Sequence, residues 1–242
     1  MIEITIPILN EEQTLDEQVR KVDLYIRRNL SDLGTIVLVL ADNGSTDATP
    51  DIALALQLEM DGVRYLRLSE RGVGRALKAS WGQSEADIVG YMDLDLATDL
   101  RYLRPAIERI RSEQSDIVTG SRLAKGAKVI GRSLLRSFTS RCFNLIVKTV
   151  FRISFSDGMC GFKFLKRNCL EDIQNAGAVS DGWFFATEIL IAGEYLGCRI
   201  FDLPVEWRDD PNSKVKIGKL TVEYIKAMRL LLLRLPERKK AL

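Results

Sequence analysis

Two aspartates separated by one residue are the feature of this sequence best suited to chemistry. Asp93 and Asp95 follow the apolar run Ile88–Met92, so they stand where a buried strand leaves the core. Just beyond a sheet edge, two such carboxylates could hold a divalent cation and, through it, the diphosphate of a nucleotide. The alternative is a polar exit from a strand into a loop, because an Asp-x-Asp pair is a common chance match.

The composition restricts the chemistry further. The 242 residues contain no histidine, which excludes Ser–His–Asp and Cys–His nucleophile systems and histidine-ligated metal sites. A metal would have to be held by carboxylates, which favours a hard cation, Mg²⁺ or Mn²⁺. The 35 Lys and Arg against 33 Asp and Glu give a formal charge of +2, which indicates no global field for binding nucleic acid. The four cysteines form no Cys-x-x-Cys pair and are predicted to be reduced.

The elements that must position these aspartates are predicted from hydrophobic patterning. In the first half, four apolar or alternating runs predict strands: Ile2–Leu9, Thr35–Ala41, Val63–Leu68 and Ile88–Met92. A capping-box pattern at Thr14 and an N-cap at Thr49 predict helix starts, and a further helix is expected from about Val73. This alternation predicts an α/β fold with a mostly parallel sheet and helices on both faces.

Ligands of such sheets lie outside the carboxyl ends of the strands, and those ends are unusually polar here. The residues concerned follow three strands: Pro7, Asn10 and Glu11; Asp42, Asn43 and Ser45; Asp93 and Asp95. Topology alone would bring these groups to one edge. Turns and helix caps are the plainer interpretation of the first two groups, and both interpretations can hold together.

The pattern is looser after about Asp116, but no linker or repeat interrupts it. Further strands and helices are expected over these ranges: 116–119, 161–165 and 199–205 as strands, and 134–151, 183–196 and 220–235 as helices. We therefore predict one domain over residues 1–242. No run reaches the ~20 apolar residues of a membrane span, and the N-terminus has no secretory signal pattern.

The motifs, in order, resemble family 2 glycosyltransferases of the GT-A fold, and in particular the polyprenyl- or dolichyl-phosphate glucose and mannose synthases. The resemblance covers nearly the whole chain and rests on these segments: 7–12, 42–47, 93–95, 120–122, 157–163, 183–188 and 213–214. It implies a Rossmann-like GT-A domain. Residues of about 1–115 would bind a UDP- or GDP-hexose, and about 116–242 would bind the polyprenyl or dolichyl phosphate acceptor.

The resemblance also implies roles for single residues. Asp42 would contact the base or ribose, and Asp93 and Asp95 would bind Mg²⁺ or Mn²⁺ and the diphosphate, with Asp95 the more direct ligand. The other residues expected at the nucleotide are Pro7, Asn10, Glu11, Asn43 and Leu94. Two positions depart from the family pattern. Asn43 stands where the family usually has an aspartate. Ala97 stands where the family often has a polar residue, and Thr98 could supply the contact of that residue instead.

The segment Gly72-Val73-Gly74-Arg75 only superficially resembles a dinucleotide fingerprint. Leu77 occupies the place of the third glycine, and the segment does not follow the first strand. In the resembling family this loop lies near the nucleotide sugar. Arg75 is therefore either a diphosphate ligand or a solvated arginine.

The acceptor determines which catalytic groups are needed. A phosphate acceptor, with a second pKa of ~6, is largely ionised at neutral pH and needs cations rather than a general base. The candidate cations are Arg122 first, then Arg132, Arg136 or Arg141, and Lys214. A saccharide hydroxyl would instead need a carboxylate base, for which Asp157 and Glu188 are the candidates. In-line displacement implies inversion at the anomeric carbon.

The segment 132–152 combines basic and apolar residues at helical spacing. Arg141, Lys148 and Arg152 flank an apolar stripe, which is typical either of an ordinary surface helix or of a helix lying on an anionic membrane. We expect the second, on the cytoplasmic face of a membrane. The alternatives are a soluble glycosyltransferase acting on a saccharide hydroxyl and a non-catalytic nucleotide-sugar-binding module. The sequence does not choose between glucose and mannose, or between uridine and guanosine.

Overall fold

The computed structural model describes residues 1–209 and 217–237. Seven strands form the central sheet in the order β3-β2-β1-β4-β7-β5-β8, and two short strands form a separate ribbon, β6-β9. Their bounds are β1 Ile2–Ile8, β2 Ile36–Asp42, β3 Val63–Arg67, β4 Ile88–Met92, β5 Ile117–Ser121, β6 Lys128–Ile130, β7 Phe162–Lys166, β8 Ile200–Pro204 and β9 Glu206–Arg208. Only β7 runs antiparallel to its neighbours in the central sheet. The prediction of a mostly parallel sheet is confirmed.

Eight α-helices surround the sheet in the described residues. They are α1 Leu15–Asn29, α2 Thr49–Glu59, α3 Val73–Gly82, α4 Leu103–Arg111, α5 Leu134–Phe151, α6 Leu170–Asn175, α7 Phe185–Tyr195 and α8 Ile217–Arg234. Within the described ranges, no helix combines the length and the apolar character that a membrane crossing requires.

The helices cover both faces of the sheet, as predicted. On one face, α1, α2 and α4 pack their apolar sides against alternate residues of β1, such as Ile4 and Ile6. On the other face, α3, α5, α6, α7 and α8 pack around Trp81, Tyr91 and Phe185. Because helices cover both faces of the sheet, the carboxyl ends of the parallel strands are the places left open to ligands.

Two predicted helix caps are not formed, although α1 begins directly after Thr14, as predicted. The Thr14 hydroxyl donates to Glu11 Oε2 instead of capping α1. Thr49 is the first residue of α2 rather than its N-cap, because its hydroxyl accepts the Glu11 amide. In both cases the threonine hydroxyl forms a hydrogen bond with Glu11 in the loop before α1 and does not cap the helix.

Candidate active site

Three polar strand ends meet at one edge of the sheet, as the topology predicted. β2, β1 and β4 are adjacent and parallel, and Ile8 is level with Asp42 in the ladder. The carboxyl ends of these strands therefore bring Asn10, Asp42 and Asp93 to the same side of the molecule. We call this edge the acidic rim.

Asp42 is fully buried at the end of β2. Its Oδ1 accepts the Ser45 amide at 2.8 Å, and its Oδ2 accepts the Tyr65 hydroxyl at 2.8 Å. Burial and this carboxylate raise the pKa of Tyr65 to about 12, so the phenol stays protonated. Beside it, Asn43 Oδ1 is buried without a hydrogen-bond partner in the described residues. An unsatisfied acceptor at this place could receive a donor group of a ligand.

Asn10 and Glu11 hold the first loop of the rim against the second. Asn10 has a left-handed backbone (φ 54°), and its Oδ1 accepts the Thr46 amide at 2.9 Å. The Asn10 amide donates to Ser45 Oγ at 3.0 Å, and the Glu11 amide donates to Thr49 Oγ1 at 2.8 Å. Pro7 lies within β1, level with Ala41. These residues, which were predicted to bind the nucleotide, thus shape the rim.

Arg75 is held by carboxylates at the start of α3. Its guanidinium lies 2.7 Å from Glu70 and 3.1 Å from Asp181, while its Nε is buried without a partner in the described residues. Gly74 allows the chain at Ser180 to approach closely, since a Cβ there would lie 2.3 Å from the Ser180 carbonyl. The amides of Gly74 and Arg75 donate to backbone carbonyls at 3.2 and 3.0 Å. These glycines therefore allow two segments of the chain to pack closely and do not form a dinucleotide-binding motif.

The aspartate pair stands at the end of β4. The Asp93 carboxylate is half-buried against Gly161, where a Cβ would lie 1.7 Å from Oδ2. Burial, and then the charge of Asp95, raise the pKa of Asp93 to about 7. Asp95 is exposed, and its Oδ1 accepts the Ala97 amide at 3.0 Å. Leu94, between them, is buried, and the hydroxyl of buried Thr98 lies 3.9 Å from Cys160 Sγ.

This pair suits a divalent cation. The charge of Asp95 raises the pKa of Asp93, so a positive charge placed between the two carboxylates would be favourable, and oxygen ligands are what Mg²⁺ and Mn²⁺ prefer. Among the residues that the structure describes, no third carboxylate or thiol joins them to complete a metal cluster. The remaining ligands would then come from the diphosphate and water, as is usual for Mg²⁺.

Asp157 and Arg122 form a buried ion pair next to the rim. Arg122 Nε and Nη2 donate to the two Asp157 oxygens at 2.7 and 3.0 Å, and only 7% of the Arg122 side chain is exposed. Burial opposes the charge of Asp157, but Arg122 prevails and lowers its pKa to about 2. The Arg122 charge also acts on Asp93, so the pair adjoins the acidic rim.

Lys163 is a site residue that the sequence analysis did not single out. It is fully buried on β7, and its Nζ donates to the Cys160 carbonyl at 2.6 Å, which the Tyr91 hydroxyl also approaches at 3.4 Å. Burial lowers the pKa of Lys163 to about 8. Together these donors fix the peptide that leads into Gly161 and thus the surface on which Asp93 rests. A lysine within a strand that reads as apolar (Phe162–Lys166) was the available signal.

Three other predicted acceptor cations lie along or before α5. Arg136 binds Asp209 at 2.9 and 3.0 Å. Arg132 is half-buried, and its Nε has no hydrogen-bond partner in the described ranges. Arg141 is exposed on the helix. Lys214, the last of the predicted cations, lies outside the described residues. Arg122, Arg132 and Arg136 are called the arginine cluster below.

Glu188, the second predicted base, lies on α7 away from any contact with the aspartate pair. Its carboxylate accepts the amide and the hydroxyl of Ser180, and burial raises its pKa. Since Ser180 belongs to the segment that packs on Gly74, Glu188 fixes that segment.

Comparisons with known proteins concern the family and the fold. The family model described as "Glycosyl transferase family 2" matches residues 3–174. Glycosyltransferase AglD of Haloferax volcanii is 32% identical over 217 residues, which are 89% of this chain and 34% of that protein. The chain thus spans about a third of the length of this relative. Dolichyl-phosphate beta-glucosyltransferase ALG5A of Trichomonas vaginalis is 29% identical over 236 residues, covering 93% of this chain and 72% of that protein.

Solved structures show the same fold. The glucosyl-3-phosphoglycerate synthase of Mycobacterium tuberculosis, crystallised with Mn²⁺, UDP and glucosyl-3-phosphoglycerate, superposes with a TM-score of 0.69 at 19% identity, covering 98% of this chain and 81% of that one. It is a GT-A glycosyltransferase fold, and the likeness at this identity concerns architecture alone.

Proposed function

The chain belongs to glycosyl transferase family 2, and from that premise we propose that it transfers glucose from UDP-glucose to polyprenyl or dolichyl phosphate. Glucose and the lipid phosphate are favoured because relatives that align with more than nine-tenths of this chain are named dolichyl-phosphate beta-glucosyltransferases. UDP is favoured because neighbours of the same fold bind it.

The observation that carries the choice of acceptor is the engagement of both candidate bases. Asp157 is fully buried, binds Arg122 and has a pKa of about 2, so it is a very weak base. Glu188 accepts two hydrogen bonds from Ser180. A saccharide hydroxyl would need one of them to remove its proton. An ionised phosphate oxygen needs neither, which supports a phosphate nucleophile.

The arginine cluster is suited to hold that phosphate. Arg122 binds Asp157 through two guanidinium nitrogens, and Arg136 binds Asp209. In the part of the chain that the structure describes, no carboxylate lies within ion-pair distance of Arg132. We therefore assign Arg132, rather than Arg122, as the principal contact of the acceptor phosphate, with Arg122 adding positive potential from behind.

The acidic rim would bind the donor. Asp93 and Asp95 would hold Mg²⁺ or Mn²⁺, which supplies Lewis-acid stabilisation of the charge that develops on the leaving diphosphate. Asp42 and Asn43 would contact the nucleoside, and Arg75 the diphosphate. Attack by the phosphate oxygen opposite the leaving group gives inversion at the anomeric carbon. In this proposal residues of about 1–115 serve the donor, and those of about 116–242 serve the acceptor.

The acceptor would be reached at a membrane surface. α5 exposes a set of large apolar side chains beside the arginine cluster: Leu134 (89% exposed), Leu135, Phe138 (66%), Leu145 and Ile146. Their burial among lipid tails would stabilise docking, and Arg141 and Arg152, both exposed, can meet anionic headgroups. Helix α8 lies against α5 through Phe143 and Tyr224 and adds exposed leucines. The protein would thus be peripheral, and we propose the cytoplasmic face.

A radiolabelled transfer assay tests the proposal. UDP-glucose and Mn²⁺ should give a lipid-extractable product with polyprenyl phosphate, and much less product with a free oligosaccharide or with phosphoglyceric acid. EDTA should abolish turnover. Transfer to a saccharide hydroxyl at an equal rate would overturn the phosphate-acceptor assignment, and the absence of UDP release with every acceptor would favour a binding module.

A further inference from the structure

Trp207 lies between the acidic rim and the arginine cluster. It is the middle residue of β9, which pairs with β6. On its other side, β9 binds the loop that follows the aspartate pair: Trp207 forms a bridge with Thr98, and the Arg208 amide donates to the Ala97 carbonyl at 2.8 Å. The backbone of Trp207 is therefore fixed to the donor side of the site.

The indole ring of Trp207 contacts two guanidinium groups. The Cζ atoms of Arg122 and Arg132 both lie 5.2 Å from its centroid. A ring face attracts a cation within about 6 Å, and the attraction is greatest for tryptophan. Two like charges share this ring although they repel one another, so the ring offsets part of the cost of bringing them together.

The ring matters unequally to the two arginines. Arg122 is held independently by its two hydrogen bonds to Asp157. Arg132 has no such anchor in the described residues, and its buried Nε has no partner there. The indole is thus the main contact that fixes the direction of the Arg132 guanidinium.

We propose that Trp207 is a positioning residue for the acceptor phosphate: its indole holds Arg132 in the direction that the incoming phosphate requires. The inference rests on the proposed function, because it assumes that Arg132 binds the acceptor. It goes beyond that function by giving the acceptor site a fixed aromatic support, attached through β9 to the loop of the aspartate pair. Donor and acceptor sites would thereby be held at a constant separation.

A double-mutant cycle on Trp207 and Arg132 tests this inference. The variants are Trp207→Leu, Trp207→Phe, Arg132→Ala and Trp207→Leu combined with Arg132→Ala. Trp207→Leu should raise the KM for polyprenyl phosphate about five- to tenfold, the range of one partly buried cation–π contact. The KM for UDP-glucose should change less than about twofold. Trp207→Phe, which keeps a weaker ring, should recover much of the loss.

In the Arg132→Ala background, Trp207→Leu should add less than about a twofold change, because the ring would then have no guanidinium to position. The neighbouring Arg208→Ala, whose side chain is 73% exposed on the same strand, is the matched control and should leave both KM values unchanged. Thermal melting and UDP binding of each variant verify that β9 and the donor side are intact.

The outcomes separate the inference from the function on which it rests. If Arg132→Ala raises the acceptor KM but Trp207→Leu does not, or if their effects multiply in full, the positioning role is wrong and the proposed function stands. If Trp207→Leu raises both KM values equally, its role is structural and the inference is overturned. If Arg132→Ala leaves the acceptor KM unchanged, the acceptor assignment itself fails and the inference falls with it.

Discussion

Asp93 rests directly on the Cα of Gly161, and this contact imposes a requirement on both residues. Gly161 follows the peptide that Lys163 and Tyr91 hold, and its carbonyl accepts the Asp93 amide at 3.1 Å. The glycine is needed for space rather than for an unusual backbone angle. Its role is to let a strand end and a neighbouring loop meet with a carboxylate between them.

Gly161→Ala is therefore expected to displace the Asp93 carboxylate. The added Cβ would lie 1.7 Å from Oδ2, so the carboxylate must move by an ångström or more. We expect kcat/KM to fall about 100-fold, since such displacements of a positioned group have that effect. Gly82→Ala, which meets nothing within 4 Å, is the matched control for steady-state kinetics. Full activity of Gly161→Ala would show that Asp93 need not occupy its present position.

The Arg122–Asp157 pair makes stability depend on pH. The pKa of Asp157 is about 2 in the folded protein against an ordinary value of 3.8, because Arg122 outweighs the effect of burial. Its contribution to the free energy of unfolding is complete above the unfolded pKa and is lost as the pH falls through about 4 to 2. One pKa unit corresponds to about 1.4 kcal/mol, so the loss should be on the order of 2 kcal/mol.

Urea unfolding between pH 6 and pH 2.5 measures this loss. Asp157→Asn should reduce the free energy of unfolding at pH 6 by about 3–5 kcal/mol, because Arg122 is left buried without its partner. That variant should also show a smaller decline at acid pH than the native protein. Asp51→Asn, an exposed carboxylate on α2, should keep the native decline. Identical pH profiles for Asp157→Asn and the native protein would contradict the assignment.

At the scale of elements, hydrophobic patterning predicted the larger strands and helices but not their mutual contacts. β4 and α5 have the predicted bounds, Ile88–Met92 and Leu134–Phe151. α4 was not predicted, although its buried residues recur at helical spacing: Leu103, Ala106, Ile107 and Ile110. β6 and β9 have three residues each, which is too short for a periodicity to be recognised.

The sequence likewise predicted where the site lies but not which side chains contact one another within it. The acidic rim follows from parallel topology, which any alternation of strands and helices implies. The partners of individual side chains do not follow from it: Arg122 meets Asp157 from 35 positions away, and Tyr65 reaches Asp42 from the neighbouring strand. Such pairs depend on side-chain packing across elements, which a single sequence does not encode locally. Trp207 was missed because its three-residue strand is defined by its pairing with β6 and with the loop at Thr98.

The apolar surface of α5 provides an element-scale prediction. Phe138→Asp should reduce cosedimentation with liposomes that contain anionic lipid by about tenfold or more, because burying one large apolar side chain contributes about 1.5–3 kcal/mol. Leu58→Asp, on the opposite-face helix α2, changes a leucine that is 80% exposed and should have no effect. Equal losses in both variants, or in neither, would show that α5 is not the docking surface.

At the scale of the whole molecule, one sheet joins the two halves of the chain. β1 to β4 come from the first half, and β7, β5 and β8 extend the sheet directly from β4. The acidic rim and the arginine cluster are therefore parts of one continuous framework. Binding of the donor at the rim should consequently stabilise the whole cooperative unit, not the first half alone.

This coupling can be measured by thermal unfolding with nucleotide sugars. At 100 times its Kd a ligand adds about 2.7 kcal/mol, which for a chain of this size raises Tm by about 5–10 °C. UDP-glucose with Mn²⁺ should produce such a shift in a single transition, and GDP-mannose should not. EDTA, or Asp95→Ala, should remove most of this shift in Tm, because the diphosphate would lose its link to the rim.

A larger shift with GDP-mannose would reverse the proposed donor, and an undiminished shift in EDTA would show that donor binding does not need the metal. Two separate transitions, only one of them shifted, would show that the halves unfold independently despite their common sheet.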